Sequence, residues 1–168
     1  FMIPLGISYA TTIRVGQGLG KEDLVTVQQA AYLSIILGLL FNLVVAITIC
    51  LFPRLIIGVY LDLNDPANLP VIAMAIPMLK IGVIALILDG MQKIVYGALQ
   101  GLQDTQIPVL LSIPSFWILG LGTGYILSFY YDIGGIGLWI GQSFGLAIAA
   151  ILFLIRFIAV VNRFNIKH

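Results

Sequence analysis

Four stretches of this chain are apolar for long enough to cross a lipid bilayer, and that property limits the fold before any motif is considered. They run over about 27–52, 69–101, 107–131 and 136–161, with a fifth, partial apolar segment over about 1–13. A bilayer core of about 30 Å takes roughly 20 helical residues, so each of the four is long enough. In hydrocarbon no water is available to backbone N–H and C=O groups, so a spanning segment satisfies its own backbone as a helix. Hydrophobic residues make up 61% of the 168 residues and charged residues only 9%, where a soluble domain carries about 25% charged. The expected fold class is an all-α integral membrane bundle of four full transmembrane helices plus one partial N-terminal helix.

The first segment gives way to a polar stretch, Arg14 to Asp23, whose "VGQGLG" run reads as a tight turn after a membrane helix. The third is longer than one straight crossing needs: at 1.5 Å per residue it reaches about 50 Å. Pro77 removes a helix hydrogen bond there and is expected to kink the segment or to separate a short outer piece. Asp65-Pro66 reads as the cap and first turn of that piece. In the last segment, over about 136–161, Gly137, Gly141, Gly145 and Ala149 recur every four residues. Small residues on one stripe let a neighbouring helix approach closely, within the bundle or between chains. The "GLGTG" of Gly120 to Gly124 plays a similar part or loosens the fourth helix. The chain opens in apolar sequence without a basic leader, the pattern expected of a longer membrane protein entered partway through a helix.

Basic residues set the orientation. Arg14, Lys21, Arg163 and Lys167 fall on one side of the membrane, against Arg54 on the other. The richer side is expected to be cytoplasmic and holds the C-terminus. Tyr60 and the cluster Phe129, Tyr130, Tyr131 fall at the opposite interface, where aromatic rings are favoured.

Several chemistries are excluded. No basic stripe tracks a phosphate backbone, so no nucleic-acid partner is expected. The glycine run has neither the strand nor the Lys-Ser/Thr of a phosphate loop. His168, the single histidine, lies at the terminus, and Ser112 and Ser143 lack a base partner, so an enzyme is not expected. Cys50 stands alone, which rules out an internal disulfide or a thiolate metal cluster. Ionisable residues within the apolar segments remain. Arg156 is near enough to an interface to reach the headgroups, and Lys80 does likewise at the other side. Asp89 is too short for that. Lys93, four residues on, shares its helical face. Either the two neutralise each other structurally, or Asp89 faces a water-filled cavity and takes up a cation or proton.

The motifs then become particular. "FMIPLGISYATTIRVGQGLGKED" resembles the end of the eighth helix and the turn into the ninth in multidrug and toxic compound extrusion (MATE) transporters. "YGALQGLQDTQIP" resembles the end of the tenth helix and its following loop. "WILGLGTGYILS" and "GIGLWIGQSFG" are similar to the eleventh helix and the start of the twelfth. The matches occur in order and span nearly the whole chain. The resemblance implies that residues 1–168 are a partial C-terminal lobe, from within helix eight to helix twelve. Its partner would be an N-terminal lobe, with which it encloses a central cavity. Such proteins expel organic cations and other amphiphiles in exchange for Na⁺ or H⁺, with no other cofactor, from what is expected here to be a bacterial inner membrane.

Counting back from "GALQG" places Asp89 on the tenth-helix aspartate that binds the coupling cation in the NorM-like branch, which would make it the Na⁺ ligand of this chain. The acidic partner expected on helix seven lies outside these residues. Lys93 departs from the family pattern as a tethered ammonium one turn from that aspartate, a candidate modulator of coupling. The loop "GLQDTQ" departs as well, where relatives often carry a basic residue. Met91 and Tyr96 are candidate substrate contacts, with helix packing as the alternative. Two other readings stand beside the antiporter. One is a lipid-linked precursor flippase of the same superfamily. The other is a non-transporting membrane subunit or remnant in which Asp89 and Lys93 form a structural pair.

Overall fold

A computed structural model describes residues 2–63 and 65–165. Phe1, Lys167 and His168, which entered the reading above, lie outside the described residues. Among the described residues all regular structure is helical and no strand occurs. Helix α1 covers Met2–Gly20 and α2 covers Leu24–Leu51. A short α3, Pro53–Gly58, and a 3-10 turn, Pro66–Asn68, lead into α4, Leu69–Gly101. The next span begins as α5, Gln106–Ile113, passes through a π-helical stretch Pro114–Leu121, returns to α geometry in α6, Gly122–Tyr125, and ends in a second π stretch, Ile126–Tyr130. Helix α7, Gly135–Asn165, closes the bundle. Four spans have the length and apolar composition to cross a membrane: Leu24–Leu51, Pro66–Gly101, Gln106–Tyr130 and Gly135–Arg163.

Two expectations are corrected. The "VGQGLG" run is not a turn, because α1 stays helical through Gly20. Of its glycines Gly18 serves close approach: a Cβ there would lie 2.9 Å from Val27 Cγ2 and 3.1 Å from the Val27 backbone nitrogen. The reversal comes afterwards, at Lys21–Asp23, where Glu22 takes φ 57° and the Asp23 N–H donates to the Gly18 carbonyl at 3.0 Å. Asp23 then caps α2, accepting from the Thr26 N–H at 3.1 Å and from the Thr26 hydroxyl. Those bonds favour the charged form and hold its carboxyl below the usual carboxylate range. The second concerns one of the two outcomes expected of Pro77: it separates no outer helix, because it sits inside a continuous α4. Only the 3-10 turn precedes α4, and Asp65 caps it as expected, accepting from the Ala67 N–H at 2.9 Å.

Helix α4 is the centre of the bundle and packs against α1, α2 and α7. Three of its glycines make that possible. A Cβ on Gly97 would come 2.5 Å from the Ser8 carbonyl oxygen, one on Gly101 would come 2.7 Å from that of Thr12, and one on Gly90 would meet the Asn42 side chain. Hydroxyls on α1 bond across this contact: Ser8 Oγ donates to the Lys93 carbonyl at 2.7 Å and Thr12 Oγ1 to the Gly97 carbonyl at 2.9 Å. Toward one end, Val15, Val27, Ala31, Leu99, Phe153 and Phe157 form a fully buried core.

The glycine stripe of α7 packs within the chain. A Cβ on Gly141 would fall 2.2 Å from the Gly124 backbone nitrogen, and one on Gly145 would fall 2.8 Å from Gly120 Cα. Gly120 and Gly124 of the "GLGTG" run are therefore the other half of the same seam. They also border π-helical backbone, a rare geometry that leaves carbonyls poorly matched to their usual donors. Serine and threonine hydroxyls supply donors along the span: Ser112 to Pro108 at 2.7 Å, Ser115 to Leu111 at 2.7 Å, and Thr123 to Leu119 and Gly120.

Since backbone atoms face Gly141, no rotamer change makes room for a methyl group there. Gly141→Ala is expected to destabilise the bundle by about 1–3 kcal/mol, as overpacking does. Gly122, which has open space where its Cβ would be, is the control. Thermal unfolding in detergent micelles should show a lowered midpoint for Gly141→Ala and an unchanged one for Gly122→Ala.

Candidate functional site

Helix α4 carries Asp89 roughly two-thirds of the way along its length, on the side that opens toward α2 and α7. A cavity of about 690 Å³ lies there, lined by Met78, Gly82, Leu86 and Asp89 of α4, Ile49 of α2, and Trp139 and Gln142 of α7, among others. Its walls are mainly apolar, with Asp89 as their one ionisable side chain. An apolar recess with few, placed polar groups is the usual form of a small-molecule site. Trp139 offers an aromatic surface and Gln142 an amide, neither of which sequence periodicity had singled out.

Lys93 is one turn further along α4, and its Nζ donates to Asp89 Oδ2. About a third of the Asp89 side chain is exposed (34%), against 21% for Lys93. The lysine backbone is fixed from behind by the Ser8 hydroxyl. Its flexible four-carbon stem carries the ammonium back to Asp89. The pair satisfies part of what the structural reading required, while the cavity satisfies part of what the ion-site reading required. Gly90, next to Asp89, faces Asn42 of α2, which is 1% exposed and whose Nδ2 has no hydrogen-bond partner among the described residues. A buried donor without an acceptor is uncommon and costs stability. Asn42 is a polar residue within a span that sequence reading passed over.

The other candidates lie elsewhere. Tyr96 is packed on the core, its ring 5.9 Å from that of Phe153. Met91 is half-buried on α4, and neither residue is among those lining the cavity around Asp89. Lys80 is exposed. Arg156 does not simply extend to an interface: its Nε donates to Asp104 Oδ2 at 2.6 Å, and both side chains are largely buried, at 21% and 14% exposure. Asp104 belongs to the link after α4, where its N–H donates to the Leu99 carbonyl at 3.0 Å. The pair ties that link to α7 across 52 positions of sequence. Among the described residues no group of three or more His, Cys, Asp or Glu gathers as a multidentate metal site. A cation at Asp89 would thus rely on one carboxylate, neutral oxygens and whatever another part of the protein supplies.

Comparison with known proteins gives a consistent picture. The MatE family model matches residues 1–126. The probable multidrug resistance protein NorM of Synechococcus sp. is 47% identical over 168 residues, covering all of this chain and 36% of that protein. The chain spans about a third of the length of the curated relatives it matches. Among solved structures, an inward-facing multidrug resistance MATE family transporter of the MOP superfamily matches with a TM-score of 0.85 at 23% identity, over 96% of this chain and 36% of that one. An outward-facing structure of such a transporter matches with 0.84 at 23% identity, over 96% and 35%.

Removing one partner of the Asp104–Arg156 pair strands the other largely out of water. Asp104→Asn or Arg156→Met alone is expected to destabilise the protein by about 1–3 kcal/mol. The double substitution should cost less than the sum of the two. Thermal unfolding of the four proteins in micelles measures that coupling.

Proposed function

The chain belongs to the MatE family, and from that premise we propose that it forms the C-terminal lobe of a secondary active antiporter, with Asp89 as the carboxylate that takes up the coupling cation. It is an integral membrane protein. The proteins it matches are named as transporters and resistance proteins rather than as enzymes. The observation that carries the proposal is the place of Asp89, an ionisable side chain in the wall of an open, mostly apolar cavity within a spanning helix. Intramembrane carboxylates of that kind commonly mark ion paths.

In this mechanism the lobe encloses a substrate path together with an N-terminal lobe, and the two rock between inward- and outward-open arrangements. The close likeness of this fold to both an inward-facing and an outward-facing structure supports a lobe that moves as a unit. Na⁺ or H⁺ at Asp89 favours one arrangement and an amphiphilic or cationic drug favours the other. Exchange follows only because the two ligands differ in affinity between the two states. The bacterial inner membrane, with the C-terminus in the cytoplasm, is the orientation supported by Arg14, Lys21 and Arg163.

A second reading rests on the Lys93 contact: the two residues are a structural ion pair and the cavity is incidental to coupling. One substitution separates them. In the intact transporter, Asp89→Asn should reduce Na⁺- or H⁺-driven drug efflux to background while folded protein in the membrane stays at the wild-type level. Unchanged efflux kinetics would reject the coupling role. Loss of folded protein, measured by size-exclusion profile, would favour the structural pair.

A further inference from the structure

Lys93 has no place in a simple carboxylate–cation site, yet its ammonium sits on the oxygen that such a cation needs. An acid followed four residues later by a lysine is the favourable order for a helical pair. On a solvated helix this contact is worth little, because water solvates both charges almost as well. Here α4 is a spanning helix, with a mostly apolar cavity wall beside Asp89, the Ser8 hydroxyl on the Lys93 carbonyl and the neutral Asn42 side chain against Gly90. Asp89 is the one acidic residue in the sequence of α4. One carboxylate cannot compensate both an ammonium and an added cation in surroundings that screen charge poorly. Occupation by one therefore excludes the other.

The geometry of the pair permits exchange. Asp89 faces the cavity, from which a cation arrives, while Lys93 is outside the cavity lining and on the turn beyond. Ser8 fixes the lysine backbone, so the ammonium can leave Asp89 by rotation of the lysine stem with no change in helix geometry. Resting on the reading of Asp89 as the coupling carboxylate, we propose that Lys93 is a tethered competitor of the coupling cation. Its ammonium holds Asp89 when no Na⁺ or proton does, and an arriving cation binds only as that ammonium leaves. Lys93 is thus a positioning residue with two effects. It keeps the unloaded carboxylate from standing bare in the membrane, and it raises the cation concentration needed for loading. In the loaded state the displaced ammonium is held away from Asp89 by repulsion from the bound cation.

The test uses the intact transporter in proteoliposomes, with ethidium efflux followed against Na⁺ concentration at fixed pH and against pH without Na⁺. Lys93→Met should lower the half-saturating concentration of whichever cation drives efflux by at least about fivefold, the low end of ordinary coupling between two ligands. Lys93→Arg, which keeps a tethered cation, should stay near wild type. Asp89→Asn should abolish the cation dependence with either residue at 93. A half-saturating concentration that is unchanged or raised in Lys93→Met, with Asp89→Asn still inactive, overturns the competitor role and leaves Asp89 in place. Cation-driven efflux that survives Asp89→Asn overturns the Asp89 reading itself. Should Lys93→Met fail to fold, Lys93→Gln is read in the same way. Failure of both to yield folded protein overturns the proposal in favour of a purely structural pair.

Discussion

Close approach of helix backbones is the constraint on which this bundle depends. Between lipid-exposed helices there is no hydrophobic gain from association, because lipid tails are as apolar as leucine. Attraction comes from van der Waals contact and from polar groups that bond across the interface, and both need short distances. The central helix α4 meets that need with Gly90, Gly97 and Gly101 against α1 and α2, while α7 meets it with Gly137, Gly141 and Gly145 against the π-containing span. Where the backbones touch, Ser8 and Thr12 place hydroxyls on α4 carbonyls. The carbonyl that Ser8 reaches is that of Lys93, so the packing that holds the lobe also fixes the turn beside the candidate site.

Charge is distributed by the same economy. Asp89 and Asp104, on α4 or just beyond it, each meet a basic group, Lys93 and Arg156. The two pairs differ in what surrounds them. Asp104 and Arg156 are largely buried and join distant segments, with backbone bonds fixing the acid, which suits a staple. Asp89 is the more exposed member of its pair and faces a cavity, which suits exchange of partners. A carboxylate that trades one cation for another within the membrane never stands bare, and that is the physical content of the coupling proposed here.

The spans were legible because twenty or so apolar residues in a row admit few structures, and α4 begins and ends at the residues expected of it. The glycine stripe of α7 was legible as a seam, although periodicity could not say whether its partner was this chain or another. Less legible was the end of α1. Glycine-rich sequence normally signals a turn, but the helix persists to Gly20 and Gly18 admits Val27 of α2. Membrane helices tolerate such glycines far better than soluble ones do. Pro77 left a kink or a separate outer piece open, and α4 continues through it as one helix. The Asp104–Arg156 pair, the placing of Trp139 and Gln142 around the cavity of Asp89, and the contact of buried Asn42 with Gly90 depend on segments far apart in sequence. No local pattern encodes them, whereas the Asp89–Lys93 spacing was local and therefore readable.

The most direct test of the central claim is chemical reaction at the carboxylate itself. Intact transporter in proteoliposomes is treated with a hydrophobic carbodiimide, and modification of Asp89 is quantified by mass spectrometry across a range of Na⁺ concentrations and pH. If Asp89 takes up the coupling cation, it reacts, and the extent of reaction changes with the driving cation over the same range that drives efflux. Reaction at Asp89 that ignores both Na⁺ and pH, while efflux still responds to them, would contradict the account.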